Sequence, residues 1–276
     1  MPLRCILAAT DLSPRSTQVT QRAALLARRV DARLILAHVA EPESSGLSLF
    51  PLRGTRGPDI DRLHAEAAAI GAEVRLLDGE PAQALADLAA AEGATLMVLG
   101  LHRERRVLDV LRLTTMERIV LAAPCPVLVA HNRPVADYQQ VLALCDFGDA
   151  AAEALRVAGH IAPQAQFHAI HALHLPLGAM LRTHSPEAEA AFAEAESLAR
   201  GYLSRPGLPA LAEPLDIVPG GVHQVLGFRR MELGADLVTI GAQSGRLAHE
   251  LGHYARDLMR APPTDLLVAK AAQNGA

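Results

Sequence analysis

Tryptophan is absent and aromatic residues make up only 3% of the 276-residue chain, so its cores are aliphatic, built from Ala, Leu, Val and Ile. Cysteine is equally scarce. Cys5, Cys125 and Cys145 are odd in number and each sits in an apolar segment, so no disulfide framework is expected and a reducing cytoplasm is. There is no basic excess: the net charge is −4 and the pI about 6.3. That charge balance argues against a nucleic-acid partner. No run approaches the ~20 apolar residues of a membrane span, and the opening MPLRCILAATD carries no secretion-signal core, so no membrane partner is expected. There is no GxxxxGK[ST], no GxGxxG after a strand, and no Ser-His-Asp set that stands out.

What is present is a repeat. Ala94-Thr95-Leu96-Met97-Val98-Leu99-Gly100 returns as Ala235-Asp236-Leu237-Val238-Thr239-Ile240-Gly241. Pro124-Cys125-Pro126-Val127-Leu128-Val129-Ala130 returns as Pro263-Thr264-Asp265-Leu266-Leu267-Val268-Ala269. Ile6-Leu7-Ala8-Ala9-Thr10-Asp11 returns as Val141-Leu142-Ala143-Leu144-Cys145-Asp146. Blocks that recur in the same order at nearly constant spacing mark a tandem duplication. The length, about twice that of an ordinary domain, and the 50% hydrophobic fraction suit two cores. The expected domains are 1–134 and 135–276, with the linker at 131–140.

Within the first copy, continuous apolar runs such as Leu96–Leu99 read as strands covered on both faces. Helices are expected over 14–30, opened by Ser13 and Pro14, over 59–70 and over 82–91. Thr114 and Thr115 suit the start of a further helix, with Glu117 in its first turn and Pro124 at its end. Residues 41–58, rich in Pro, Gly and Ser, read as a loop. The alternation of strand and helix predicts an α/β fold: two tandem, doubly wound, five-stranded parallel-sheet domains. In the second copy, helices are expected at 151–160 and 186–203.

The chain resembles the universal stress protein family. Four features carry the resemblance in each copy: a strand leading to Asp11 or Asp146, a strand ending His38-Val39 or His171-Ala172, the apolar strand before Gly100 or Gly241, and the closing Pro-x-x-[VL]-L-V. The resemblance implies pairing through the last strand, as an internal pseudo-dimer through 127–130 and 266–269 or as a homodimer. It also implies a stress-response role exerted through binding, without enzymatic activity.

Many members of that family hold ATP with Gly-x2-Gly-x9-Gly-[Ser/Thr]. Glycines let backbone N–H groups approach phosphates, and a helix N-terminus adds positive potential. Here Gly100 fits, Arg103 and Leu113 replace the next two glycines, and Thr114 keeps the hydroxyl. In the second copy Gly241 fits and Ser244 replaces the next glycine, while Gly252 follows Gly241 too closely for the third and His253 replaces the hydroxyl residue. The competing reading is an adenine-nucleotide protein, for ATP or AMP with Mg, with slow hydrolysis at most. Asp11 would orient ligand or metal, Gly100 would admit phosphates, Thr114 and Thr115 would donate to them, and Arg103, Arg105 or Arg106 would supply charge. Asp11 and Asp146 have a structural alternative, helix capping.

His249-Glu250-Leu251-Gly252-His253 spells HExxH. On a helix it would present two imidazoles to zinc with Glu250 as general base. Arg256 and Met259 stand where the longer metalloprotease pattern needs Gly and His, and no Glu follows Glu250. A third protein ligand is therefore missing. The expectation is at most structural zinc at His249 and His253. His38 and His171 are expected to be satisfied strand-end histidines.

Overall fold

In a computed structural model, the described residues are 3–13, 16–40, 57–101, 113–134, 136–175, 185–243 and 250–271. The chain divides into two compact units, Met1–Asp137 and Tyr138–Ala276.

The first unit contains β1 (Cys5–Ala9), α1 (Thr17–Val30), β2 (Arg33–Ala40), α2 (Gly57–Ile70), β3 (Glu73–Asp78), α3 (Pro81–Ala91), β4 (Leu96–Gly100), α4 (Thr115–Ala122) and β5 (Val127–Ala130). Its strands lie in the order β3-β2-β1-β4-β5. All the pairings are parallel, with Ile6 opposite Leu34 on one side and Leu96 on the other. Ile6, Leu7, Ile35, Leu36, Leu96 and Met97 are completely buried. Strands sandwiched between helices have no solvated face, hence the unbroken apolar runs. Burying one such Leu or Ile side chain stabilises the fold by about 1.5–3 kcal/mol.

The second unit contains β6 (Gln140–Leu144), α5 (Asp149–Ile161), β7 (Gln166–Leu173), α6 (Pro186–Leu203), β8 (Asp216–Pro219), α7 (Val222–Leu233), β9 (Leu237–Gly241), α8 (His253–Arg260) and β10 (Asp265–Ala269). Its strands lie in the order β10-β9-β6-β7-β8, again all parallel. Both units therefore have the expected doubly wound, five-stranded parallel sheet. Among the described residues no helix is long and apolar enough to cross a membrane.

Equivalent positions do equivalent work with different chemistry. Thr95, just before β4, accepts at its Oγ1 from the N–H groups of Arg4 (3.0 Å) and Cys5 (3.2 Å). Asp236, just before β9, accepts from Gln139 (2.9 Å) and Gln140 (3.1 Å). Each side chain fixes the start of the neighbouring central strand by satisfying donors that lie outside the ladder.

One helix start differs from expectation. α1 begins at Thr17 with Ser16 at the N-cap position and no side-chain cap. Both the N–H and the hydroxyl of Ser16 donate to the Ser13 carbonyl, at 3.0 and 2.7 Å. Ser13 thus anchors the turn ahead of the helix through its backbone. Pro14 and most of the loop expected at 41–58 lie outside the described residues.

Candidate functional site

Open parallel sheets receive ligands at the carboxyl ends of strands, where the strand order reverses. In the first unit that point lies between β1 and β4, which places Asp11 and Gly100 at the ends of adjacent strands. In the second it lies between β6 and β9, at Asp146 and Gly241.

The turn after the first strand is built alike in both units. The Asp11 carboxylate accepts from the Ser13 N–H at 3.0 Å, and the Asp146 carboxylate from the Gly148 N–H at 2.9 Å. Each aspartate closes a tight turn ahead of the helix cap and is not the cap itself. Between donor and acceptor, Leu12 (φ 59°) and Phe147 (φ 64°) adopt the left-handed conformation that bulky residues seldom take. His38 Nδ1 lies 2.9 Å from the Thr10 carbonyl, and His171 Nδ1 lies 2.8 Å from the Cys145 carbonyl. A carbonyl only accepts, so Nδ1 carries the proton in both rings. An arginine completes each turn: Arg62 of α2 donates to the Leu12 carbonyl, and Arg205, just past α6, donates to the Gly148 carbonyl at 2.8 Å. The two histidines are satisfied, as expected. The left-handed residues and the arginines have no local signature in the sequence.

Gly100 has a packing role. A Cβ there would stand 2.8 Å from Val19 Cγ2 of α1. At Gly241 a Cβ would meet Ala151 N at 2.8 Å and Ala150 Cβ at 3.0 Å. Each glycine lets the first helix of its unit close onto a central strand, so the space above Gly100 is already taken by Val19.

Thr114 is the N-cap of α4. Its hydroxyl accepts from the Glu117 N–H at 3.2 Å, and Glu117 Oε2 accepts from the Thr114 N–H at 2.7 Å, a complete capping box. Glu117 is fully buried. The start of α4, where a phosphate would find positive potential, thus holds the protein's own carboxylate. The Thr-x-x-Glu spacing is visible in the sequence and is the signal that points to this reciprocal cap. Thr115 Oγ1 accepts from Arg118 at 3.2 Å. Leu113 is exposed. Arg103, Arg105 and Arg106 lie outside the described residues, as does Ser244.

The residues described fit a nucleotide only in part. Asp11 stands exposed at the switch point, but Gly100 and Thr114 are engaged in packing and capping, and Glu117 opposes a phosphate. In the second unit α8 has Gly252 at its N-cap position and no side-chain cap, so the hydroxyl that Thr114 brings to α4 has no counterpart there.

Among the described residues, the segment that spells HExxH is not helical ahead of His253. Glu250, Leu251 and Gly252 precede α8, which begins at His253, and the Gly252 N–H donates to the Ala242 carbonyl at 2.9 Å. With Gly252 at the N-cap position the helix starts only at His253, so Glu250 lies ahead of it and not on its face. His249 itself lies outside the described residues. His253 Nε2 is 3.3 Å from Asp257 Oδ2, which also lies 3.2 Å from His223 Nε2. His168 and His171 face different partners: His168 meets Glu213 at 2.8 Å and Gln140 at 3.1 Å. Among the described residues no group of three or more His, Cys, Asp or Glu is arranged to hold a metal ion.

The universal stress protein family matches residues 2–131. The universal stress protein in the QAH/OAS sulfhydrylase 3' region of Thermus aquaticus is 31% identical over 135 residues, 46% of this chain and 98% of that protein. A universal stress protein from Archaeoglobus fulgidus DSM 4304 has a similar solved structure, with a TM-score of 0.64 at 17% identity, covering 98% of this chain and 97% of that one. A functionally unknown protein from Pseudomonas aeruginosa PAO1 gives a TM-score of 0.66 at 20% identity, covering 98% and 93%. At such identities the structural likeness speaks for the fold alone. The family match and the Thermus relative, together with the repeated Asp, His and Gly positions, establish that the chain belongs to the universal stress protein family.

Proposed function

We propose that the protein is a non-enzymatic regulatory binding module of the stress response, in which the strand-end mouth of the first unit is the ligand-facing surface. The observation that carries this reading is the use already made of the site residues. Val19 fills the space above Gly100, and Thr114 with Glu117 closes the start of α4. Phosphate-transfer chemistry needs donors and space aimed at the transferred group, and among the described residues Gly100 and Thr114 are committed to packing and capping. A second reading is favoured by the exposed Asp11 carboxylate at the switch point: the first unit holds an adenine nucleotide, ATP or AMP with Mg, without turning it over.

Native mass spectrometry of the protein as purified, followed by denaturation, tests both. An empty protein unchanged by added Mg-ATP supports a binding module for another partner. Released ATP, ADP or AMP establishes nucleotide binding, and its loss in Asp11→Ala assigns it to the first unit.

A further inference from the structure

In the second unit the carboxyl ends of β6 and β7 are filled by the chain itself. The Phe147 ring stacks on the His171 imidazole, with centroids 4.3 Å apart and planes 28° from parallel. Tyr202, at the end of α6 and 2% exposed, meets Phe147 edge-on at 6.2 Å. Phe147 and Phe192 both pack on the cluster of Leu173, Leu175 and Ala195. Arg205 lies 5.2 Å above the Tyr202 ring, donates to the Gly148 carbonyl and pairs with Asp149 at 3.1 Å. The fold does not demand an aromatic ring here, because the first unit makes the same turn with Leu12. A planar heterocyclic ligand at this strand end would make the same stacked contact with the imidazole.

We propose that this stack is a built-in plug: Phe147 occupies, on His171, the place of a purine ring and closes the second unit to planar heterocyclic ligands. The inference rests on the reading that the strand-end mouth is the ligand face of the first unit, and extends it to the equivalent place in the second. Phe147 sits on a short turn in the left-handed conformation, which glycine adopts freely, so Phe147→Gly opens the slot without adding backbone strain to the turn.

Adenosine titrated into the full chain tests this, with the imidazole signals of His171 and His38 followed by NMR and the stoichiometry by calorimetry. In the wild type the His171 signal is expected to stay unmoved. In Phe147→Gly it is expected to shift saturably, with one more equivalent of adenosine bound than in the wild type. Phe147→Leu, which restores the residue of the first unit, serves with the same readings if the glycine variant does not fold. A His171 response in the wild type equal to that of the variants overturns the proposal. So does a folded variant with no response. A silent His38 throughout counts against nucleotide binding in the first unit and leaves the His171 result standing.

Discussion

Val19 Cγ2 lies where the side chain of any residue larger than glycine at position 100 would begin, 2.8 Å from the position of its Cβ. The glycine at the end of β4 is therefore needed for α1 to close on the sheet, whatever it does for a ligand. Gly100→Ala should destabilise the protein by about 1–3 kcal/mol, the usual cost of overpacking. Val19→Ala should cost roughly 0.5–3 kcal/mol through the cavity it leaves. The double variant should lose less than the sum of the two, because Val19→Ala removes the clashing methyl. Urea unfolding of the four proteins measures this. Additive losses would mean that the close approach does not govern position 100.

Thr114 and Glu117 form a reciprocal pair. Thr114→Ala should cost about 1 kcal/mol and speed amide exchange in the first turn of α4, while Thr114→Ser should leave both nearly unchanged. Amide exchange by mass spectrometry reads the effect locally. Equal protection in Thr114→Ala and wild type would show that the hydroxyl does not hold the helix end.

Much of this was legible in the sequence, for identifiable reasons. Runs such as Leu96–Leu99 declare strands buried on both faces, and the recurrence of Asp11 at Asp146 and Gly100 at Gly241 exposes the duplication. The helix Pro186–Leu203 is bounded by its own proline and its Ala/Glu-rich composition. What could not be read locally depends on residues far apart in the chain. Val19 above Gly100, Arg62 on the Leu12 carbonyl, and Tyr202 against Phe147 leave no pattern in any short window. HELGH has the spacing of a helix face, but α8 begins only after Gly252, a start that the motif itself does not reveal.

Asp31 ends α1 in the left-handed conformation, φ 51°, with its N–H donating to the Ala27 carbonyl. A β-branched residue fits that conformation poorly, so Asp31→Val should lower stability by about 1–2 kcal/mol. Asp31→Gly should be neutral or stabilising by up to about 1 kcal/mol, the preference of helix ends for glycine being offset by the freer unfolded chain. Thermal unfolding of the two variants separates the cases. The opposite order would show that the carboxylate, and not the backbone, sets this position.

Glu92 is held below the ordinary carboxylate range by hydrogen bonds from Arg33 first and Arg75 next. Its ionised form is favoured in the folded state. The resulting stability is fully present above the unfolded pKa and is lost as the pH falls through the depressed folded value. Glu92→Gln should therefore flatten the acid limb of the stability profile below about pH 4.3, the unperturbed Glu value. It should also make neutral-pH stability less sensitive to salt. An unchanged acid limb would remove Glu92 from the pH response.

Cys145 and Cys125 should differ in reactivity. Burial pushes the Cys145 thiol up to about 12, whereas Cys125 is half-buried. A thiol reagent at mildly alkaline pH should label Cys125 first and reach Cys145 only on unfolding, because the thiolate is the reactive form. Mass mapping of the labelled peptides checks the order, and early labelling of Cys145 would contradict its enclosure.

On the proposed function, packing at Gly100 and capping at Thr114 and Glu117 leave the first unit unable to turn over a nucleotide. Phosphate release from Mg-ATP by the purified full chain, run beside Asp11→Asn, tests it most directly. No release above background is expected from either protein. Turnover in the wild type that Asp11→Asn abolishes would contradict it and make the strand-end site of the first unit a working ATPase centre.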